Sequence, residues 1–134
     1  EDICEADVVI YVISRISGEG KDRRKVKGDY YLSEREEEDL RYLAEMNKPV
    51  ILILNAGGPV ELTDILEQTD NIKGILNISQ LGQEGGDALA DVLLGKEVPG
   101  GKLTTTWARR YEDYPASEEY GSLNGNLEKE KYKR

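Results

Sequence analysis

The sequence predicts an α/β domain built on a mostly parallel β-sheet, and three observations indicate this fold class. Three short runs are almost wholly apolar, as is typical of strands covered on both faces: Val8 to Ser14, Val50 to Leu54 and Gly74 to Ile78. A segment with helical spacing of apolar residues follows each run. Strands that alternate with helices in this way favour parallel pairing, with the helices packed on the sheet.

The first strand is followed by a polar connection that extends to about Leu32. A helix is predicted next, because Ser33 and Glu36 have the spacing of a capping box, with Ser33 as the N-cap residue. Pro49 prevents this helix from continuing, and the second strand follows at once.

The second half of the chain repeats the alternation. Asn55 to Gly58 is predicted to form a turn, with Pro59 at the first position of a second helix. A third helix is predicted around Ala88 to Leu93 and is ended by Gly95. Lys102 to Trp107 alternates polar and apolar residues, which predicts a fourth strand near the edge of the sheet.

The composition limits the functions that a chain of 134 residues can serve. Acidic residues outnumber basic ones, 27 to 18, and the net charge of -9 argues against binding to nucleic acid or to an anionic membrane surface. Cys4 is the single cysteine and histidine is absent, which excludes an intrachain disulfide, a cysteine-based zinc site and a Ser-His-Asp triad. No apolar run has the length of a transmembrane helix.

The length suits one domain, which we expect to comprise residues 1–115, followed by a polar tail or linker toward another domain at 116–134. The first residues are acidic and lack the basic and apolar stretches of a signal peptide, which favours the cytoplasm over secretion. Because position 1 is Glu and not Met, the compartment stays open.

The polar connection after the first strand contains the residues that point most directly to function. Glu19 lies between two glycines, so its carboxylate sits on a backbone that a ligand can approach closely. Charged and hydroxyl side chains lie near it in the sequence: Arg15, Ser17, Asp22 and Arg23. A carboxylate on a loop at the end of a strand is a common site of acid–base chemistry.

Two further loops are expected at the same edge of the sheet as Glu19, because the loops after parallel strands leave from the carboxyl ends of those strands. Asn55 in the second loop, and Gln83 and Glu84 in the third, are therefore expected to share a surface with Glu19.

Simpler roles stay open for each of these groups. Glu19 would serve equally well as a solvated loop residue. The turn from Asn55 to Gly58 is either a phosphate cradle or an ordinary tight turn. A structural role would be enough to explain Glu84, because a negative charge at the start of a helix interacts favourably with the helix dipole. Asp22 and Arg23 suit an ion pair that orders the loop.

Three segments of the chain, taken together, resemble the C-terminal α/β-sandwich domain of family 3 glycoside hydrolases, the β-glucosidase type. Residues 15–23 read RISGEGKDR, residues 50–59 read VILILNAGGP, and residues 82–95 read GQEGGDALADVLLG. The order and spacing of the segments agree with that family across about residues 5–116.

The resemblance implies a three-layer α/β/α sandwich of flavodoxin-like topology that belongs to a retaining β-glycosidase. In that family the nucleophile is an aspartate on a separate N-terminal barrel domain, and the glutamate at the position of Glu19 is the general acid/base in many members. The implied partners are a carbohydrate substrate (a β-glucoside) and the barrel, with no cofactor or metal. Arg15, Ser17, Asp22 and Arg23 would bind substrate or order the loop, and the residues that would support the site without touching substrate are Asn55, Gln83 and Glu84.

Two consequences follow for this chain. It contains no counterpart of the barrel, and a two-carboxylate mechanism needs its carboxylates about 5 Å apart, so we expect an excised domain that is inactive alone. Arg15 and Arg23 would oppose the raised pKa that an acid catalyst needs. They are therefore expected to bond to Asp22 or Asp29, ordering the loop.

Two other functions stay open. One is a non-catalytic domain that only closes over a partner's active site. The other is a nucleotide- or flavin-binding module that uses the turn from Asn55 to Gly58, although the chain lacks a GxGxxG or Walker signature.

Overall fold

The computed structural model describes residues 2–16, 23–115 and 117. Its strands are β1 (Val9–Ser14), β2 (Val50–Asn55) and β3 (Ile72–Asn77), and its helices are α1 (Asp2–Glu5), α2 (Glu34–Glu45), α3 (Thr63–Gln68) and α4 (Gly85–Leu93). A 3-10 helix, Tyr111–Asp113, follows. The predicted alternation of strands and helices is confirmed. Within these residues, no helix is long and apolar enough to span a lipid bilayer.

The strands form one parallel sheet in the order β1-β2-β3. Val9 is paired with Val50, and Val50 is paired in turn with Ile72. This confirms the predicted α/β class with a parallel sheet. A sequential order is the one found on one side of the strand reversal in a flavodoxin-like sheet, and the described strands do not include the reversal itself.

The central strand, β2, consists almost wholly of apolar residues, and it is buried on both faces. Leu52 and Leu54 face the main core, whereas Ile53 points to the opposite face, and all three are almost fully buried. Ile10 and Val12 of β1 lie on the same face as Ile53, yet they are 48% and 51% exposed. The second face is therefore covered at its centre and open along β1.

The main core lies between the sheet and helices α2 and α3. Leu40 and Leu43 of α2 and Ile65 of α3 belong to one buried cluster with the core-facing residues of the sheet, so both helices cover the same face. This agrees with right-handed crossovers between strands laid down in sequential order. The remaining buried members of the cluster are Ile13, Leu32, Val50, Leu52, Leu54, Ala56, Val60 and Leu62.

The predicted capping box at the start of α2 is confirmed. The Ser33 hydroxyl accepts a hydrogen bond from the backbone N–H of Glu36 at 3.2 Å, and the Glu36 carboxylate accepts one from the backbone N–H of Ser33 at 2.7 Å. After the helix, Asn47 adopts a left-handed backbone conformation with φ of 53°. Pro49 then precedes β2, as predicted.

Two predictions about local structure are wrong. Lys102 to Trp107 is not a strand: Leu103 is exposed while Trp107 packs against the core, so the alternation reflects one anchored side chain and not a sheet face. Pro59 does not begin a helix, since α3 begins at Thr63. The backbone before α3 is held instead by a hydrogen bond from the N–H of Glu61 to the carbonyl of Tyr30.

Candidate active site

The carboxyl ends of the three strands lie at one edge of the sheet, because all the strands are parallel. The ladder continues past the strand ends: the N–H of Arg15 donates to the carbonyl of Asn55 at 3.0 Å, and the N–H of Ile78 donates to the carbonyl of Leu54 at 3.0 Å. The side-chain amide of Asn55 makes a long contact of 3.5 Å to the hydroxyl of Ser14. The three loops that carry the candidate residues therefore start from one rigid edge.

Three of the candidates, Ser17, Glu19 and Asp22, lie outside the described residues. The segment that contains them is bordered by Arg15 and Ile16 on one side and by Arg23 on the other. Ile16 is almost fully exposed, whereas Arg15 is buried.

The guanidinium of Arg15 uses all five of its N–H groups within the protein. It makes two bonds to the carboxylate of Glu36, at 2.7 and 2.8 Å. The other three bonds go to backbone carbonyls: Ser14 at 2.8 Å, Asp29 at 2.7 Å and Tyr31 at 3.2 Å. All five donors are thus used, and the bonds join the end of β1 to the turn at residues 29–31 and to the first turn of α2.

Glu36 joins the end of β1 to the start of α2. Its carboxylate accepts bonds from Arg15 and from the backbone N–H of Ser33. Burial by itself would raise the pKa of Glu36, but the Arg15 guanidinium and the Ser33 N–H outweigh it and lower that pKa below its ordinary value. The side chains of Arg15 and Glu36 are only 6% and 15% exposed, so this is a largely buried ion pair.

Arg23 makes an equivalent anchor at the far side of the segment. Its Nε donates to the Asp29 carboxylate at 2.9 Å, one Nη donates to the carbonyl of Pro59 at 2.6 Å, and the other donates to the carbonyl of Asp29. Asp29 also accepts from the backbone N–H of Arg24. Burial would raise the pKa of Asp29, but the bonds from Arg23 and from the Arg24 N–H lower it overall.

Both arginines therefore bond to Asp29, as the sequence led us to expect for that residue. Arg23 bonds to the Asp29 carboxylate, whereas Arg15 reaches only its carbonyl and takes Glu36 as its acidic partner. This role of Glu36 was not predicted from the sequence. The signal was present in the capping box, which already placed its carboxylate at the start of α2, beside the edge of the sheet.

A second support of the loop was also missed. The ammonium group of Lys25 lies 2.5 Å from the Glu112 carboxylate and 4.4 Å from the centre of the Tyr111 ring. The rings of Tyr30 and Tyr111 meet edge to face at 5.2 Å. The segment around the 3-10 helix therefore braces the turn that contains Asp29.

The third loop presents Gln83 and Glu84 to solvent. Glu84 occupies the N-cap position of α4 without making a side-chain capping bond. The loop is closed by its backbone, since the N–H of Gly85 bonds to the carbonyl of Gly82 at 3.0 Å and Ser79 adopts a φ of 52°. Gly85 packs so closely on Leu81 that a Cβ at this position would lie 2.4 Å from the Leu81 Cβ.

The phosphate cradle considered for the turn after β2 does not form at a helix N-terminus. Residues 59–62, which follow the turn, do not belong to a helix, and α3 begins only at Thr63 and is six residues long. The Pro59 carbonyl, moreover, is bonded to Arg23. The nucleotide-binding alternative depended on a helix dipole directed at this turn, and that support is removed.

Comparison with known proteins decides the family. A family model described as "Glycosyl hydrolase family 3 C-terminal domain" matches residues 1–133. The chain belongs to this family. Among curated relatives, it is 39% identical to β-glucosidase A of Butyrivibrio fibrisolvens over 84% of its length, and 38% identical to a probable β-D-xylosidase 6 of Arabidopsis thaliana over 76%.

The chain is also similar to solved structures of β-glucosidases. β-Glucosidase 3B from Thermotoga neapolitana, in complex with glucose, matches 87% of the chain with a TM-score of 0.78 and 45% identity. A β-glucosidase from Paenibacillus barengoltzii matches 87% with a TM-score of 0.82 and 31% identity. The chain spans only 16% of the length of the Butyrivibrio and Thermotoga proteins and 13% of the Paenibacillus and Arabidopsis proteins.

Proposed function

We propose that this family 3 domain contributes the general acid/base, Glu19, to a retaining β-glycosidase whose nucleophile lies in a part of the protein outside this chain. Glu19 would protonate the glycosidic oxygen as the bond to the sugar breaks. It would then take a proton from the water that hydrolyses the glycosyl-enzyme intermediate. The names of the relatives favour a β-glucoside as the substrate, with a β-xyloside as the alternative.

One observation carries the proposal. Glu19 follows by four positions an arginine that is fixed at the carboxyl end of β1, the edge at which open α/β sheets bind ligands. The resemblance of residues 15–23 to the family motif supports the proposal, because it implies a general acid/base glutamate at this position of the loop.

The charges around the loop support an acid role. A general acid must hold its proton at working pH, and a free cation beside it would lower its pKa. The cations that border the segment are paired: Arg15 with Glu36, and Arg23 with Asp29. They are therefore compensated by carboxylates other than Glu19.

The test compares aryl β-glucosides in the full-length protein that contains this chain. Glu19→Gln should lower kcat/KM for a phenyl glucoside by about 10²- to 10⁴-fold, because the poor leaving group needs protonation. A dinitrophenyl glucoside needs little protonation to leave, so its cleavage step should be affected far less. In Glu19→Ala, added azide should restore turnover of the dinitrophenyl substrate by entering the space left by the carboxylate.

Glu38→Gln is the matched control, since Glu38 is an exposed glutamate on α2. It should leave both substrates unaffected. If Glu19→Gln retains full activity on the phenyl glucoside, the acid/base role is excluded and the domain only closes the site. The chain on its own should hydrolyse neither substrate, and robust turnover by it would contradict the assignment of the nucleophile to another part of the protein.

A further inference from the structure

Among the described residues at the edge of the sheet, Arg15 makes the most side-chain hydrogen bonds. Its five hydrogen bonds reach three separate parts of the fold: the end of β1, the turn at residues 29–31, and the first turn of α2. The guanidinium is planar and rigid, so five simultaneous bonds fix the relative positions of all three parts. Because all five N–H groups of Arg15 are used in these bonds, the guanidinium has no donor left to bind a sugar.

Arg23 holds the opposite end of the same segment. Its bonds to Asp29 and to the Pro59 carbonyl join it to the turn and to the loop after β2. Asp29 is shared, because its carbonyl accepts from Arg15 while its carboxylate accepts from Arg23. The two anchors are therefore one connected network.

We propose that Arg15 and Glu36 are positioning residues for the acid/base: their bidentate pair sets the point at which the chain leaves β1, and thereby the place of Glu19. This inference rests on the proposed function of Glu19. Four positions separate Glu19 from Arg15 and four separate it from Arg23, so both ends of its segment are held. Neither Arg15 nor Glu36 touches the substrate in this proposal.

The two aryl glucosides distinguish a positioning role from a purely structural role. A misplaced acid/base impairs protonation of the leaving group, and so affects a phenyl glucoside more than a dinitrophenyl glucoside. A variant that merely folds less well lowers the amount of active enzyme, and so lowers both rates by the same factor. The ratio of the two kcat/KM values therefore reports position independently of folding yield.

The experiment measures this ratio for Arg15→Lys in the full-length protein. Lysine keeps the charge but loses the planar fork that bonds both oxygens of Glu36. We expect kcat/KM to fall about 10- to 100-fold for the phenyl glucoside and less than about 3-fold for the dinitrophenyl glucoside, as for a catalytic group displaced by about 1 Å. Arg35→Lys is the control: Arg35 is exposed on α2 and pairs with Asp39, and its variant should match the wild type.

Glu36→Gln is the second variant, and it decides the question if Arg15→Lys does not fold. Glutamine retains the capping box but removes the charge that pairs with Arg15, so the same selective loss is expected. An equal loss on both substrates, in whichever variant folds, would overturn the proposal.

Glu19→Gln, measured alongside, distinguishes failure of the acid/base role of Glu19 from failure of the positioning role of Arg15 and Glu36. If Glu19→Gln is not selective for the phenyl glucoside, the proposed function itself fails. If Glu19→Gln is selective while Arg15→Lys and Glu36→Gln are not, Glu19 keeps its role and the positioning inference alone is wrong.

Discussion

The loop after β1 and the loop after β3 start from the same edge of the sheet but are held in different ways. Around the first, charged side chains carry the structure: Arg15 and Arg23 bond to two carboxylates and to four backbone carbonyls. In the second, Gln83 and Glu84 are exposed and make no side-chain hydrogen bond to other described residues. Its shape comes from backbone bonds and from the close fit of Gly85 on Leu81.

This difference indicates how each loop will respond to change. A loop held by buried, charge-assisted bonds is sensitive to the loss of one partner, because the other is then left as an uncompensated buried charge. A loop held by steric fit is sensitive to added volume and tolerates the loss of its exposed side chains. Three experiments on the purified chain separate these two behaviours.

The largest effect is expected from Arg15→Met. Glu36 would be left buried without its cation, and the free energy of unfolding should fall by about 3–5 kcal/mol. Gln83→Ala, on the other loop, should change it by less than about 0.5 kcal/mol. Urea denaturation measures both values.

The double variant Arg15→Met/Glu36→Gln should be more stable than Arg15→Met alone, because the unpaired charge is removed as well. If Arg15→Met and Gln83→Ala destabilised the chain equally, the contrast between the two loops would be lost.

A smaller effect is expected from Gly85→Ala. The new Cβ would lie 2.4 Å from the Leu81 Cβ, so the helix or the loop must shift, at a cost of about 1–3 kcal/mol of stability. Gly86→Ala is the matched control, since nothing lies within 4 Å of a Cβ there. It should stabilise α4 by about 0.5–1 kcal/mol. Thermal unfolding distinguishes the two variants, and equal effects would show that steric fit does not hold this loop.

The smallest effect concerns pH. The pKa of Glu36 is lowered in the folded chain, so its ion pair stabilises the fold above the unfolded-state pKa of about 4.3 and ceases to do so as the pH falls through the folded-state value. The stability advantage of the wild type over Glu36→Gln should therefore be constant near neutral pH and shrink in acid, by at most about 1.4 kcal/mol per pH unit. Urea titrations at several pH values measure it, and an advantage that persists unchanged to pH 3 would contradict the lowered pKa.

The parts of the fold that could be predicted from the sequence are those with local signals. The three apolar runs and the Ser33–Glu36 capping box need only neighbouring residues to be recognised, and all are confirmed. The predicted strand from Lys102 to Trp107 was wrong because an alternation of polar and apolar residues also arises when a single residue, here Trp107, is anchored in the core. The predicted helix start at Pro59 was wrong because the backbone hydrogen bond from Glu61 to Tyr30 overrides the preference of proline for the first position of a helix.

The candidate site shows the same division. The chain order placed Arg15, Asn55 and Gln83 in the three loops at one edge, and the parallel pairing confirms that common edge. The pairing of Arg15 with Glu36 was not predicted, because the two residues lie 21 positions apart, and the capping box places the Glu36 carboxylate at the start of α2 without identifying its partner. The role of Glu19 stays a prediction, because that residue lies outside the described part of the chain.

The network of Arg15 and Arg23 has a practical consequence for engineering. Because Arg15 and Arg23 are bonded to other parts of the fold, we expect that residues 16–22 can be exchanged for those of another family 3 protein without redesigning the sheet or α2. A graft confined to residues 16–22 leaves Arg15, Arg23, Asp29 and Glu36 in place, whereas one that also replaces either arginine removes the bonds that hold the ends of the segment.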